Sequence, residues 1–144
     1  MRIYILSRNK DLYSTRRLVE EATLKGWDVK VIDYLKCTIE IMKGELLINY
    51  QGKLLPVPDA IIPRIGASRT FYGAAMVRHF EMLDVFSTTG NLALTRSRDK
   101  LRSLQVLSKN DVDMPRTVFA SNKSSAKDVI ELSGGAPLVL KILE

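Results

Sequence analysis

Two short apolar runs with a helical segment between them constrain the fold of this chain most. The runs "RIYIL" (2–6) and "DVKVID" (28–33) have the composition and length of strands. Residues 12–26, which lie between them, carry apolar side chains near helical spacing and end at Gly26. A strand, a helix and a strand with short connections give parallel strands and a right-handed crossover. The sequence therefore predicts an open α/β sheet at the start of the chain.

The following sixty or so residues extend this sheet. Residues 37–56 contain no good helix and predict a β-hairpin that turns at Lys43 and Gly44. The other elements expected here are a third core strand, a helix and a short fourth strand, over residues 60–66, 68–84 and 85–88.

The character of the chain changes near residues 89–95, where we place a domain boundary between residues 1–92 and 93–144. Residues 91–110 predict one long basic helix. The elements expected after it are a loop with Pro115 that leads into a strand, a short helix capped by Ser124 or Ser125, and a final strand, over residues 111–121, 124–135 and 137–143.

Composition limits the function classes. The formal net charge of +6 favours acidic partners, namely nucleic acid, nucleotide phosphates or carboxylate substrates, although a solubilising surface is equally compatible with it. No apolar run is long enough to span a bilayer, and the start of the chain does not have the form of a secretory signal. Cys37 is the only cysteine, which excludes an internal disulfide and fits a reducing, cytoplasmic setting.

Candidate binding residues follow the predicted parallel strands. Open parallel sheets bind ligands beyond the carboxyl ends of their strands, and Ser7, Arg8 and Arg64 occupy such positions. Arg64 precedes Gly66, where a ligand can approach the backbone, and its guanidinium suits a carboxylate or phosphate. The alternative is an ion pair between Arg64 and a nearby acidic residue. No G-x-G-x-x-G follows the first strand, which argues against a dinucleotide site.

A second group of cations lies in "TRSRDKLRS" (95–103), which carries Arg96, Arg98, Lys100 and Arg102. These side chains form either a solvated basic face or a phosphate-facing helix start. The absence of aromatic residues between positions 87 and 118 weakens a nucleic-acid interpretation.

Lys141 lies in the final apolar run. In a strand its side chain would share a face with Val139 and Leu143, so it must either snorkel or meet an anion. Cys37 and His79 have no neighbouring catalytic signature, and no metal-ligand spacing is present.

Four segments together resemble a known family. They are "ILSRNKDLYSTRRLVEEA", "PDAIIPRIGASRTFYGAAMVRHFEML", "RSRDKLRSLQVLSKNDVDMPRT" and "GGAPLVLKILE". The chain resembles, over essentially its whole length, the amino-terminal part of the RimK family of ATP-grasp ligases. The resemblance implies a pre-ATP-grasp α/β domain, which is an open parallel sheet with flanking helices and a β-hairpin excursion. An incomplete ATP-grasp portion is expected to follow it.

The resemblance also implies an activity. Members of this family are ATP-dependent carboxylate–amine ligases that work through an acyl phosphate, with Mg2+ or Mn2+, and add glutamate to the carboxyl terminus of a small-subunit ribosomal protein. Two lysines that bind ATP phosphates map onto Lys100 and Lys141. The family's glycine-rich loop and metal ligands would come after Glu144. We therefore expect no metal ligands and no tightly bound cofactor in these residues, and no ligation by them alone. The parent enzyme is expected to be a homo-oligomer.

Two other functions remain open at this point. One is a stand-alone anion- or nucleotide-binding α/β module without catalysis, and the other is a basic domain that binds nucleic acid or ribosomes. Neither a membrane partner nor direct nucleic-acid contact is expected if the resemblance holds. We also expect residues 137–143, as an apolar strand without a partner, to pair with another chain, pack atypically or be poorly ordered.

Overall fold

A computed structural model describes residues 1–121 and 126–141 of the chain. The chain divides into two compact units, Met1–Arg98 and Asp99–Glu144. None of the helices in the described part of the chain has both the length and the apolar character needed to cross a bilayer.

The first unit contains all the strands that the described residues form. These are β1 (Arg2–Leu6), β2 (Asp28–Ile32), β3 (Cys37–Met42), β4 (Glu45–Tyr50), β5 (Lys53–Leu54), β6 (Ala60–Pro63) and β7 (Phe86–Ser87). Its α-helices are α1 (Tyr13–Leu24), α2 (Thr70–Met82) and α3 (Asn91–Arg98), and two short 3-10 helices span Tyr34–Lys36 and Ala67–Arg69.

Four strands form a parallel sheet in the order β2-β1-β6-β7. Strand β1 is central, and its residues Ile3 to Leu6 are buried, as expected for a parallel strand covered on both faces. Leu6 pairs in register with Ile32 on one side and Pro63 on the other, so these three strands end together. The predicted open α/β sheet is confirmed.

The hairpin excursion is confirmed as a separate antiparallel sheet in the order β3-β4-β5. Its first turn lies at Lys43 and Gly44, where Gly44 has a φ of 81°. A residue without a Cβ adopts this left-handed conformation at little cost, which is why the chain can reverse here within two residues.

The core of the first unit lies between the two sheets and α2. Tyr4, Tyr34 and Phe80 are its largest fully buried side chains. The Tyr4 hydroxyl donates a hydrogen bond of 2.9 Å to the Pro56 carbonyl. This bond compensates the Tyr4 hydroxyl for its lost hydration, whereas the buried Tyr34 hydroxyl has no hydrogen-bond partner among the described residues.

Helix α2 comes very close to Ile65, the second residue after β6. A Cβ atom added at Gly73 would lie 2.3 Å from Ile65 Cγ2, so only glycine fits this position without a shift. Phe71 is 89% exposed. It lies in the first turn of α2, where the described residues provide no apolar cover.

The second unit contains α4 (Lys100–Lys109) and α5 (Ala126–Ser133). The prediction of one long helix over residues 91–110 was wrong, because the helical structure is interrupted at Asp99, before α4. The Asp99 carboxylate accepts a hydrogen bond of 2.9 Å from the Arg102 backbone N–H, which is the geometry of an N-cap. Asp99 therefore caps α4 directly after the last residue of α3.

The strands predicted in the second unit are absent from its described residues. Residues 111–121 form no strand, and Leu138 to Lys141 of the predicted final strand also lack strand structure. A strand requires a neighbour that pairs with its backbone groups, and the described residues of this unit form only helices and irregular segments. Residues 142–143 and the suggested caps Ser124 and Ser125 lie outside the described residues.

Candidate functional site

Residues after three adjacent parallel strands meet at the carboxyl edge of the four-stranded sheet. Because Leu6 is in register with Ile32 and Pro63, the next residues along β1 and β6 are Ser7 and Arg64, side by side. The Arg64 backbone N–H donates to the Leu6 carbonyl at 2.9 Å, which continues the ladder by one step. This register places Ser7 and Arg64 at the same edge of the sheet, as the sequence predicted.

Ser7 is only 3% exposed, and its hydroxyl is occupied by internal partners. The Oγ atom lies 3.0 Å from the Asn9 carbonyl and 3.2 Å from the Thr15 hydroxyl. These bonds hold the loop after β1 against the first turn of α1. The predicted contact between Ser7 and a substrate stays a prediction. The two hydrogen bonds indicate that Ser7 stabilises the loop after β1.

Arg64 is exposed, and its guanidinium has a defined position. Its Nη2 atom donates a hydrogen bond of 2.7 Å to the Ser14 hydroxyl, in the first turn of α1. The alternative considered from the sequence was an ion pair with an acidic residue, and no described carboxylate pairs with Arg64. A guanidinium carries five N–H donors, so one bond to a hydroxyl leaves most of them available.

Arg98 adds a second guanidinium beside Arg64 that the sequence did not assign to this edge. Its Nη2 atom donates a hydrogen bond of 2.8 Å to the carbonyl of Ile65, the residue that follows Arg64. Arg98 ends α3 within the first unit, whereas the sequence placed it in one basic run with Lys100 and Arg102. The N-cap signal of Asp99 is the feature that could have separated them.

The carboxyl edge also carries one carboxylate, that of Asp33, which directly follows β2 and whose Oδ2 atom lies 4.0 Å from Lys36 Nζ. Arg8, Arg64 and Arg98 form no ion pair there, and Arg8 is exposed. At the opposite edge of the sheet, by contrast, Arg2 Nε lies 3.0 Å from Asp28 Oδ2 and the Arg2 N–H donates to Asp59 at 2.6 Å. Cations without acidic partners on a sheet edge suit an anionic ligand.

The two predicted phosphate-binding lysines both lie in the second unit. Lys100 is the first residue of α4 and is exposed, and Lys141 is exposed in a segment without regular structure. Two exposed ammonium groups have donor chemistry that fits phosphate oxygens. The Asp99 carboxylate next to Lys100 is occupied by the Arg102 N–H of the helix cap. The phosphate-binding roles of Lys100 and Lys141 stay predictions.

The described residues do not fit a metal ion. They contain no group of three His, Cys, Asp or Glu side chains placed to bind one. Cys37 is buried, and burial together with the nearby Asp33 charge raises the pKa of its thiol to about 12, so the thiolate needed for metal binding does not form at neutral pH. Burial also lowers the pKa of His79, which is enclosed by the core.

Comparisons with known proteins agree with this architecture. A family model described as the RimK PreATP-grasp domain matches residues 1–94, and one described as the RimK-like ATP-grasp domain matches residues 97–144. These matches confirm the family resemblance drawn from the sequence. Proteins named probable alpha-L-glutamate ligase from Psychromonas ingrahamii and Aliivibrio salmonicida are each 54% identical to this chain over 144 residues.

These matches cover 100% of this chain and 48% of each relative, so the chain spans about half the length of the curated relatives it matches. Among solved structures, the macrocyclase MdnB from Microcystis aeruginosa MRC is similar, with a TM-score of 0.64 and 15% identity. That match covers 89% of this chain and 57% of MdnB. At this identity the likeness confirms the fold class only.

Proposed function

Because this chain belongs to the RimK family of ATP-grasp proteins, we propose that it is part of an ATP-dependent ligase that joins glutamate to an acceptor carboxylate. The observation that carries the proposal is the match at 54% identity, over all 144 residues, to relatives named probable alpha-L-glutamate ligase. The family resemblance further supports a cytoplasmic enzyme whose acceptor is the carboxyl terminus of a small-subunit ribosomal protein.

The proposed reaction has two steps. An oxygen of the acceptor carboxylate attacks the γ-phosphorus of ATP, the bond between that phosphorus and the β,γ-bridging oxygen breaks, and ADP leaves. The amine nitrogen of glutamate then attacks the activated acyl carbon and loses a proton, and inorganic phosphate leaves as the amide forms. Such a reaction needs cations around the phosphates and fixed donors that orient the carboxylates.

The residues proposed for these tasks come from both units. Lys100 and Lys141 bind ATP phosphates as point charges. Arg64 binds a substrate carboxylate through the N–H donors that Ser14 leaves available, and Arg8 lies next to Ser7 at the same sheet edge. Ser7 holds the loop that carries Arg8, through its bonds to Asn9 and Thr15.

The metal ion of the family has no ligand set among the described residues. On the family resemblance, we propose that its ligands and the glycine-rich loop lie in the part of the relatives that this chain does not match, and that the complete enzyme is a homo-oligomer. A metal neutralises charge that develops on the transferred phosphoryl group. The 144-residue chain is accordingly expected to bind ATP weakly and not to catalyse ligation.

Two measurements test the proposal. In an ATP titration, Lys100→Gln and Lys141→Gln should each weaken binding relative to wild type, whereas Lys43→Gln, at the exposed hairpin turn, should not. Unchanged binding in both lysine variants would remove these residues from the site. In an assay of glutamate-dependent ADP release, the full-length Psychromonas ingrahamii relative should be active and the 144-residue chain inactive. Activity of the chain alone would overturn the assignment of metal ligands to another part of the enzyme.

A further inference from the structure

The turn that leaves β6 carries Arg64, and a side chain from another helix holds the backbone of this turn. Arg98, the last residue of α3, donates a hydrogen bond of 2.8 Å from its Nη2 atom to the Ile65 carbonyl, 33 residues away in the sequence. No carboxylate of the described residues pairs with this guanidinium. A hydrogen bond from a charged donor is roughly twice as strong as one between neutral groups. Arg98 thus joins α3 to the residue directly after Arg64.

Helix α3 is itself anchored, so Arg98 extends from a fixed support. At the start of the helix the Asn91 backbone N–H donates to Glu81 Oε1 at 2.8 Å, and the Asn91 side chain donates to the other oxygen of that carboxylate. Leu94, in the middle of the helix, is 7% exposed and belongs to the core cluster. A carboxylate at the start of a helix and a guanidinium at its end both match the helix dipole. The helix therefore holds Arg98 in a defined position beside the turn.

The other contacts of the turn leave one backbone group for Arg98 to hold. The Arg64 N–H donates to the Leu6 carbonyl at 2.9 Å. The Ile65 side chain packs so closely on α2 that a Cβ atom at Gly73 would lie 2.3 Å from its Cγ2 atom. The Ile65 carbonyl lies one peptide unit beyond the last step of the ladder, and its partner among the described residues is Arg98. This bond supports the end of β6 directly after Arg64, where a strand would otherwise fray.

We propose that Arg98 is a positioning residue for Arg64: its bond to Ile65 fixes the end of β6, and the Arg64 guanidinium thereby stays where it meets a substrate carboxylate. The inference rests on the ligase function proposed above. Binding groups must be held within about 0.5 Å of the productive geometry, so a small displacement of the turn weakens substrate binding. In this role Arg98 acts through Arg64 and does not itself contact the substrate.

Amide hydrogen exchange in the 144-residue chain, measured by NMR, tests the bond between Arg98 and Ile65 without any ligand. Arg98→Gln should speed exchange of the Arg64 amide about twofold to tenfold, the change expected for one lost hydrogen bond. Amides of the central strand β1 should exchange at the wild-type rate, because the core is unaltered. Arg98→Lys, which keeps the charge and loses the planar fork, should speed exchange at Arg64 less than Arg98→Gln does.

The matched control is Arg78→Gln, which removes the same charge from an exposed position in α2 and should leave exchange at Arg64 unchanged. Fluorescence of Trp27 checks that each variant is folded. Wild-type exchange at Arg64 in the Arg98→Gln variant, or an equal rise in the control, would overturn the inference.

A double-mutant cycle in the complete enzyme tests the consequence for substrate binding. Arg64→Gln should raise the KM of one carboxylate substrate, either glutamate or the acceptor. Arg98→Gln should raise the KM of the same substrate by a smaller factor, about twofold to tenfold, and leave the KM for ATP unchanged. In the Arg64→Gln variant, the further change Arg98→Gln should have no effect, because the residue through which Arg98 acts is already absent.

Two kinetic results would overturn the inference. Additive losses in the double variant would show that Arg98 contacts a substrate itself, and a lower kcat with every KM unchanged would show that it does not act on binding through Arg64. The two proposals fail separately. An inactive wild-type enzyme rejects the ligase function, whereas an active enzyme with additive losses rejects only the positioning role of Arg98.

Discussion

The two units differ in how their apolar residues are used. The first unit buries a cluster of fourteen apolar side chains around the sheet and α2. In the described part of the second unit no side chain is fully buried, and Val139 and Leu140 are 81% and 83% exposed. Since burial of apolar surface is the main favourable contribution to folding, we expect most of the free energy of unfolding to come from the first unit. The helices of the second unit depend on local interactions such as the Asp99 cap.

The same difference applies to the proposed binding residues. Arg64 and Arg98 extend from a packed scaffold and have fixed hydrogen-bond partners. Lys100 and Lys141 lie on exposed segments of the other unit. Side chains on rigid elements hold a ligand geometry more accurately than side chains on exposed segments. We therefore expect Arg64 and Arg98 to keep their positions when a ligand binds, and Lys100 and Lys141 to be ordered by it.

The largest expected effect tests whether burial in the first unit controls stability. Phe80→Ala removes a ring that is 1% exposed in the core and should lower the free energy of unfolding by about 3–5 kcal/mol. Phe71→Ala makes the same substitution on the same helix at a side chain that is 89% exposed. It should change the free energy of unfolding by less than about 0.5 kcal/mol. Urea denaturation followed by the fluorescence of Trp27, the only tryptophan, measures both. Similar losses in the two variants would contradict the burial pattern.

The first unit is also the part that sequence reasoning described best. Its strands are short apolar runs bounded by turn residues. This local signal is sufficient to predict a strand when another strand of the same unit is available to pair with it. The second unit yielded the errors. The apolar run at residues 138–141 has strand composition, but a strand also needs a partner, and composition does not reveal whether one is present.

The candidate site divides in a similar way. The position of Arg8 and Arg64 after β1 and β6 could be predicted because the ends of parallel strands meet at one edge, which is a rule of topology, and their binding role stays a prediction. The partners that fix Arg64 and Arg98 were not found, since they lie 50 and 33 residues away in the sequence, respectively. Contacts between such distant residues depend on the folded arrangement and leave no local pattern.

A pH titration offers a second, smaller test of the core. Burial lowers the pKa of His79, while its contact with the Leu47 backbone opposes that shift, and no described atom pairs with its Nε2. The unfolded chain then binds a proton more readily than the folded chain. Stability should be complete above the ordinary histidine pKa of about 6.5 and should fall as the pH decreases below it, by at most about 1.4 kcal/mol per pH unit.

Urea midpoints at pH 7.5 and pH 5.5, again from Trp27 fluorescence, measure this dependence. His79 is the only histidine, so His79→Gln should remove most of the difference between the two pH values. A wild-type protein that is equally stable at both values would show that the imidazole is hydrated in solution.

The smallest expected effect concerns the second unit alone. Asp99→Ala removes the N-cap of α4 and should reduce helix stability by about 1 kcal/mol, seen as a loss of circular dichroism at 222 nm. The Trp27 unfolding transition should not move, because Trp27 belongs to the first unit. Asp113→Ala removes the same charge from an exposed position outside any helix and should change neither signal. If Asp99→Ala shifted the Trp27 transition as well, the two units would unfold together. Low burial in the second unit would then not indicate that it unfolds independently.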